Sequence, residues 1–251
     1  MENVNINYGK YSCFDSTLGD VNSLRIRGFK SIVDNYVKMK TCKLSGNEAI
    51  NNEEVEIIRN AKDVITNLVI KSIDYLYYND YSHIFAKQSE RCVCARLAFI
   101  LQNALKLNNV TNYFVDVEYV LFKKKHSSKE KLKGISEDDK KGYCDLLIQS
   151  RGKNKYANIL LAIEMKVHKK GNMKSDIDRL KKLTSPWPIP YDNHRACDSL
   201  LGLFLIIQKT QYKFKKIHRR GDRSQPTEEN WITRNEVPKE SYGRLKKEVK
   251  K

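Results

Sequence analysis

Asp145, Glu164 and Lys166 are the residues whose types and spacing suggest chemistry. Glu164 and Lys166 stand two positions apart inside an apolar run, with Ile159 to Ile163 before them and Val167 after. Asp145 follows Tyr143 and Cys144 and precedes Leu146, Leu147 and Ile148. Both runs read as strands, joined by a short polar turn. Side chains alternate between the faces of a strand. Leu160, Ala162, Glu164 and Lys166 are therefore expected on one face, and Ile159, Leu161, Ile163, Met165 and Val167 on the other, buried under a helix. Charges on largely buried strands are costly unless paired. Two arrangements would relieve that cost: an Asp–Lys or Glu–Lys pair that satisfies itself at a strand end, or a metal–carboxylate site with a lysine beside it.

The elements that must position these residues are read from periodicity and punctuation. Residues 21–40 carry a partial helical stripe that Gly28 weakens, and 41–52 read as a loop. From Glu53 the spacing of Ile58, Ala61, Ile65, Leu68, Val69, Ile73 and Leu76 predicts a clear helix, with Glu53 and Glu54 suited to its first turn. A second helix is predicted over 89–107, with Val93, Leu97, Ile100, Leu101, Ala104 and Leu105 as its apolar stripe. Glu90 falls on that same stripe, where a carboxylate needs a partner or is simply a first-turn residue. Strands are predicted over 113–123, 143–150 and 156–167. In the first, Val115, Val117, Tyr119 and Leu121 share one face, while Asp116 and Glu118 look outward. A helix over 174–184 follows, with Asp176 and Asp178 in its first turn and Met173, Ile177, Leu180 and Thr184 as its inner stripe; prolines at 186, 188 and 190 stop it. The nearly continuous apolar run from Leu200 to Ile207 reads as a central strand buried on both faces.

Asp145, a turn, and then Glu164-Met165-Lys166, on strands in this order, resemble the PD-(D/E)XK nuclease superfamily over roughly residues 85–210. Cys144 stands where the family pattern has proline. The resemblance implies an α/β fold with a restriction-endonuclease-like core: helix, three antiparallel strands, helix and strand, in a mixed sheet flanked by helices. It implies a metal-dependent nuclease hydrolysing phosphodiester bonds. The family includes restriction enzymes, recombination and repair nucleases and phage-defence effectors, so a DNA endonuclease is expected, with DNA favoured over RNA. Asp145 and Glu164, on neighbouring strands, would converge on the ion; the resemblance adds the Met165 carbonyl as a third ligand and Glu90 as an extra acid. Oxygen ligands suit magnesium, with manganese as a substitute. Lys166 would orient or help deprotonate the attacking water, and a cation beside it would lower its pKa. A non-catalytic nucleic-acid-binding or structural subunit on the same fold is the alternative.

Composition bears on partners. With 47 Lys and Arg against 30 Asp and Glu, the 251-residue chain carries a formal net charge of +17, which suits a polyanion. Candidate phosphate contacts are Lys123, Lys124 and Lys125 at the start of a basic loop, Lys169 and Lys170 after the third strand, and Lys215, Lys216, Arg219 and Arg220 in a stretch interleaved with Tyr212 and Phe214. The tyrosines between Tyr75 and Tyr81 would either stack on bases or cover a core. The organisation expected is a helical accessory region over 1–84, a nuclease-like core over 85–220 and a basic tail over 221–251, with a homodimer or partner subunit possible. There is no apolar run of membrane-spanning length and no visible secretion signal, and the six cysteines, without zinc spacing, read as free thiols, so a cytoplasmic protein is expected. No glycine-rich phosphate loop, nucleophile elbow or His-x-x-x-His pair points to another catalytic class. The five histidines are scattered; His168 is the one near the site.

Overall fold

The computed structural model describes residues 20–43, 51–80, 84, 89–123, 141–154, 157–168, 173–185, 199–209, 211–219 and 226–235. A short 3-10 turn over Val21–Leu24 leads to α1, Phe29–Lys43. Gly28, at φ 74°, separates the two, so the single helix expected over 21–40 is broken where the left-handed backbone favours glycine. Helix α2 spans Asn52–Asn79. It opens with a capping box: Asn51 Oδ1 accepts from the Glu54 amide at 2.9 Å and Glu54 Oε2 accepts from the Asn51 amide at 2.8 Å. Helix α3 spans Glu90–Leu107, with Ser89 as its N-cap.

Seven strands follow: β1 Phe114–Lys123, β2 Lys141–Gln149, β3 Ile159–Val167, β4 Leu201–Ile207, β5 Gln211–His218, β6 Thr227–Glu228 and β7 Ile232–Asn235; α4, Met173–Thr184, connects β3 to β4. They form one mixed sheet in the order β1-β2-β3-β4-β5-β6, with β7 also on β5. Among the described strands only β3 and β4 pair in parallel, as the crossover through α4 requires. The protein is thus α/β, with a central mixed sheet flanked by helices. Strands β5 to β7 were not expected: the stretch after Lys209 was read as a basic nucleic-acid segment and a tail. Tyr212 and Phe214 alternate with Lys213 and Lys215 and are buried on one face of a strand, while Ile217, three residues on, is buried on the other.

The two faces of the sheet are covered unequally. One core runs from Leu24 and Phe29 through α2 and α3 to Leu161, Ile163, Met165, Leu203, Leu205 and Phe214, so the N-terminal helices and the sheet share one apolar interior. The other core is smaller and gathers Leu147, Ala162, Phe204 and Ile217 under Leu180 and Leu183 of α4. Helix α4 lies close on β4 at Gly202, where an added Cβ would come within 3.3 Å of Thr184 Cγ2 and 3.4 Å of Leu180 Cβ.

Two expected alternations are corrected. A register irregularity between Leu161 and Ile159, opposite Ile148 and Gln149, places Leu160 in the larger core and Ile159 in the smaller, the reverse of strict alternation. On β1, which has a neighbour on one side alone among the described strands, Val117 is 40% exposed while Asp116 is partly buried and accepts from Gln149 Nε2 at 2.8 Å. Glu118, beside Val117, has φ 48°, which interrupts the pleat. Among the described residues no helix is long and apolar enough to cross a membrane.

Candidate active site

The paired register of β2 and β3 runs from Gln149–Ile159 to Leu146–Ile163. One residue further, the Asp145 side chain takes over: its Oδ2 accepts from the Met165 amide at 2.7 Å. Glu164, next to Phe204 in the parallel ladder, is 1% exposed. Its Oε1 accepts from Arg179 NH1 of α4 at 2.8 Å. Lys166, one position before the end of β3, lies with Nζ 3.1 Å from Asp176 Oδ2 and 3.6 Å from Glu90 Oε1. The other Glu90 oxygen accepts from the Val167 amide at 3.2 Å. Glu90 therefore does more than open α3; it ties the first turn of that helix to the end of β3. Cys94, one turn on, donates its thiol to the Asp145 carbonyl at 3.3 Å.

Four carboxylates, Glu90, Asp145, Glu164 and Asp176, thus gather around two cations, Lys166 and Arg179. Fully ionised, the group carries two more negative charges than positive ones, and burial sharpens the consequence. Burial, reinforced by Asp145, pushes the Glu164 pKa up to about 8, against the pull of Arg179. Burial also raises Asp145, opposed by the Met165 amide and Lys166. For Lys166 burial acts to lower the pKa, but Asp176, Glu90 and Asp145 outweigh it and the net direction is upward. That is opposite to the lowering expected beside a metal, because the described neighbours are acids.

The donor set fits a hard divalent cation: it is all carboxylate oxygen, it has excess negative charge, and one of its oxygens, Asp176 Oδ2, is buried without a hydrogen bond. Lys166 Nζ, 3.1 Å away, is the ion-pair partner of that oxygen. Among the described residues, however, no three His, Cys, Asp or Glu side chains are grouped as a metal ion would hold them. Arg179 engages Glu164 Oε1, and Lys166 lies between Asp176 and Glu90.

Asp176 and Arg179 were missed from the sequence. The sequence pattern puts Asp176 in the first turn of its helix and predicts Met173, Ile177, Leu180 and Thr184 as the inner stripe. The buried stripe is Asp176, Leu180, Leu183 and Thr184, with Met173 exposed. Asp176 lies four residues before Leu180, so the stripe test that singled out Glu90 would have singled it out as well.

The basic residues divide differently. Lys215 Nζ lies 2.8 Å from Glu228 Oε2 and 5.2 Å from the Trp231 ring centre. Lys216 Nζ lies 3.4 Å from Glu229 and 3.9 Å from Asp63. Both are mostly buried and engaged with carboxylates. The Arg219 carbonyl accepts from Lys62 Nζ at 2.6 Å, and burial together with the Arg219 charge lowers Lys62 to about 8. Lys123 is described through its backbone alone, and Lys124, Lys125, Lys169, Lys170 and Arg220 lie outside the described residues. Tyr77 is buried, stacks on Tyr212 at 5.9 Å and donates to the Gln211 carbonyl at 3.0 Å, so it covers the core and does not offer its ring to bases. His168, at φ 59°, turns its ring to the Ile84 carbonyl, 2.7 Å from Nε2. Among the described residues Cys42, Cys92, Cys94 and Cys144 form no disulfide; Cys13 and Cys197 lie outside the described residues. No family model, curated protein or solved structure matches the chain.

Proposed function

We propose that the protein is a metal-dependent nuclease with a restriction-endonuclease-like core, a DNA endonuclease of the restriction, repair or phage-defence kind that takes magnesium or manganese. The observation that carries this reading is the meeting of Asp145 from β2 and Glu164 and Lys166 from β3, with Glu90 of α3 closing the same strand end. The element order of α3, β1 to β3, α4 and β4 is the order that the PD-(D/E)XK resemblance requires. Asp145 and Glu164, with the Met165 carbonyl, would hold the ion, and Glu90 would support it. When bound, a divalent ion supplies charge neutralisation at phosphorus and a more acidic water. Lys166 Nζ, fixed between Asp176 and Glu90, orients the attacking water and offsets phosphate charge. DNA is the preferred substrate over RNA, and a homodimer or partner subunit is compatible with this reading.

A second reading, a non-catalytic nucleic-acid-binding or structural subunit, draws on one specific contact: Arg179 already satisfies Glu164, as in a self-contained ion-pair network. Incubating wild type and Lys166→Met with supercoiled plasmid, linear duplex and RNA, in magnesium or manganese, separates the two. The nuclease reading expects cation-dependent cleavage that falls at least about a hundredfold in the variant, the scale of one lost positioned catalytic group. Cleavage by Lys166→Met at the wild-type rate would remove the site assignment. Nucleic-acid binding without cleavage under all cations would favour the second reading.

A further inference from the structure

Arg179 joins a carboxylate of β3 to one of α4. Its NH1 lies 2.8 Å from Glu164 Oε1 and its NH2 3.6 Å from Asp176 Oδ1. Glu164 is enclosed, whereas the Arg179 side chain keeps 30% of its surface open. Asp176, 5% exposed, has its second oxygen 3.1 Å from Lys166 Nζ. Acid and base are three residues apart on α4, the spacing at which helical side chains meet.

We propose that Arg179 is a phosphate-binding residue of the site, standing on Glu164 until a divalent cation takes that carboxylate, after which Asp176 keeps its guanidinium at the site. The inference rests on the nuclease reading and adds a substrate contact to it. A guanidinium and a divalent cation repel each other and compete for the same Glu164 oxygen. Displaced from Glu164, Arg179 still has Asp176 beside it, so its charge stays near the incoming backbone. Its planar fork of donors matches two non-bridging oxygens of a phosphodiester, a geometry a lysine cannot reproduce.

The test follows two bindings in the same proteins: manganese by calorimetry, and a short DNA duplex by anisotropy with manganese present. All proteins carry Lys166→Met so that the duplex stays whole, and circular dichroism verifies folding. Arg179→Met and Arg179→Gln each remove the charge, and Gln retains a hydrogen-bonding group for Glu164 should Met fail to fold. Both should bind manganese about tenfold or more tightly than the parent and the duplex about tenfold or more weakly, the scale of one hydrogen bond to a charged group. Opposite changes in the two affinities are not what a merely structural arginine would give. Weaker duplex binding with unchanged manganese affinity would overturn the competition at Glu164. Tighter manganese with unchanged duplex binding would overturn the phosphate contact. If wild type cuts DNA while Arg179→Met and Arg179→Gln leave both affinities unchanged, this inference alone falls. If no protein in the set binds manganese, the nuclease reading falls and this inference with it.

Discussion

Asp145 receives the Met165 amide on its carboxylate at 2.7 Å, one residue beyond the last paired position of β2 and β3. A side chain thereby satisfies a backbone donor that the ladder leaves at the site end of the sheet. Burial raises the pKa of this carboxylate and the charges of Glu90 and Asp176 add to that, while the Met165 amide and Lys166 act in the other direction. Asp145 therefore has a structural task and an electrostatic cost, and the two can be separated by substitution.

Asp145→Asn keeps an oxygen for the Met165 amide and removes one negative charge. In chelator, its melting temperature should rise by about 2–4 °C, the shift that about 1 kcal/mol produces in a chain of this size. Asp145→Ala leaves the amide without its acceptor and should cost about 1–3 kcal/mol. Calorimetry of both variants checks the pair of outcomes; equal melting temperatures for Asn and Ala would show that the Met165 amide does not depend on Asp145.

Glu164 makes metal-free stability depend on pH. Its folded pKa is raised from the ordinary 4.5 to about 8. Between those values the native state holds a proton that the unfolded chain has lost, so stability falls as pH rises across that window and levels off above it. In chelator, wild type should lose at least about 4 °C more than Glu164→Gln between pH 5 and pH 8, as about 1–2 kcal/mol would produce. Parallel melting curves for the two proteins across that range would place the proton elsewhere.

The order of helix, three strands, helix and strand was legible because those runs are long, strongly periodic and bounded by loop residues. Asp145, Glu164 and Lys166 stood out because a charge in an apolar run contradicts its surroundings. Asp176 did not, because a stripe drawn through Met173 and Ile177 shares Leu180 and Thr184 with the buried one, and the buried one leans toward Asp176 and Leu183 instead. Arg179 is charged on a charged helix, and nothing in one sequence ties it to Glu164, 15 residues earlier. The exchange of Ile159 and Leu160 depends on a register irregularity that pairing with β2 imposes. The pairing of Lys215 and Lys216 was hidden for a related reason: their neutralising partners, Glu228 and Glu229, come back from a segment that composition alone described as a tail.

Lys215 and Lys216 should contribute little to nucleic-acid affinity. Each phosphate contact adds about −0.9 to the slope of log affinity against log salt. Replacing both lysines by alanine should change the slope measured for metal-free duplex DNA by less than about one unit, because each lysine is already engaged by a carboxylate. A flattening of about two units would show that Glu228 and Glu229 release both side chains to phosphates.

Glu90 faces two partners, and the conservative change separates them. Its Oε2 accepts from the Val167 amide at 3.2 Å and its Oε1 lies 3.6 Å from Lys166 Nζ. Glu90→Gln keeps an acceptor for Val167 and removes the charge that faces Lys166 and the proposed ion. The variant should melt within about 2 °C of wild type, since the charge pair it loses is partly exposed and worth about 1 kcal/mol or less. If Glu90 supports the cation, half-maximal cleavage should require about tenfold more magnesium, the scale for outer groups that hold ligands in place. Manganese calorimetry in a Lys166→Met background then distinguishes the two routes. Weaker manganese binding by Glu90→Gln in that background means that Glu90 acts on the ion itself, while a loss confined to proteins with Lys166 means that it acts through the lysine. A cation requirement unchanged in every background would leave Glu90 as a helix-start residue that braces the end of β3.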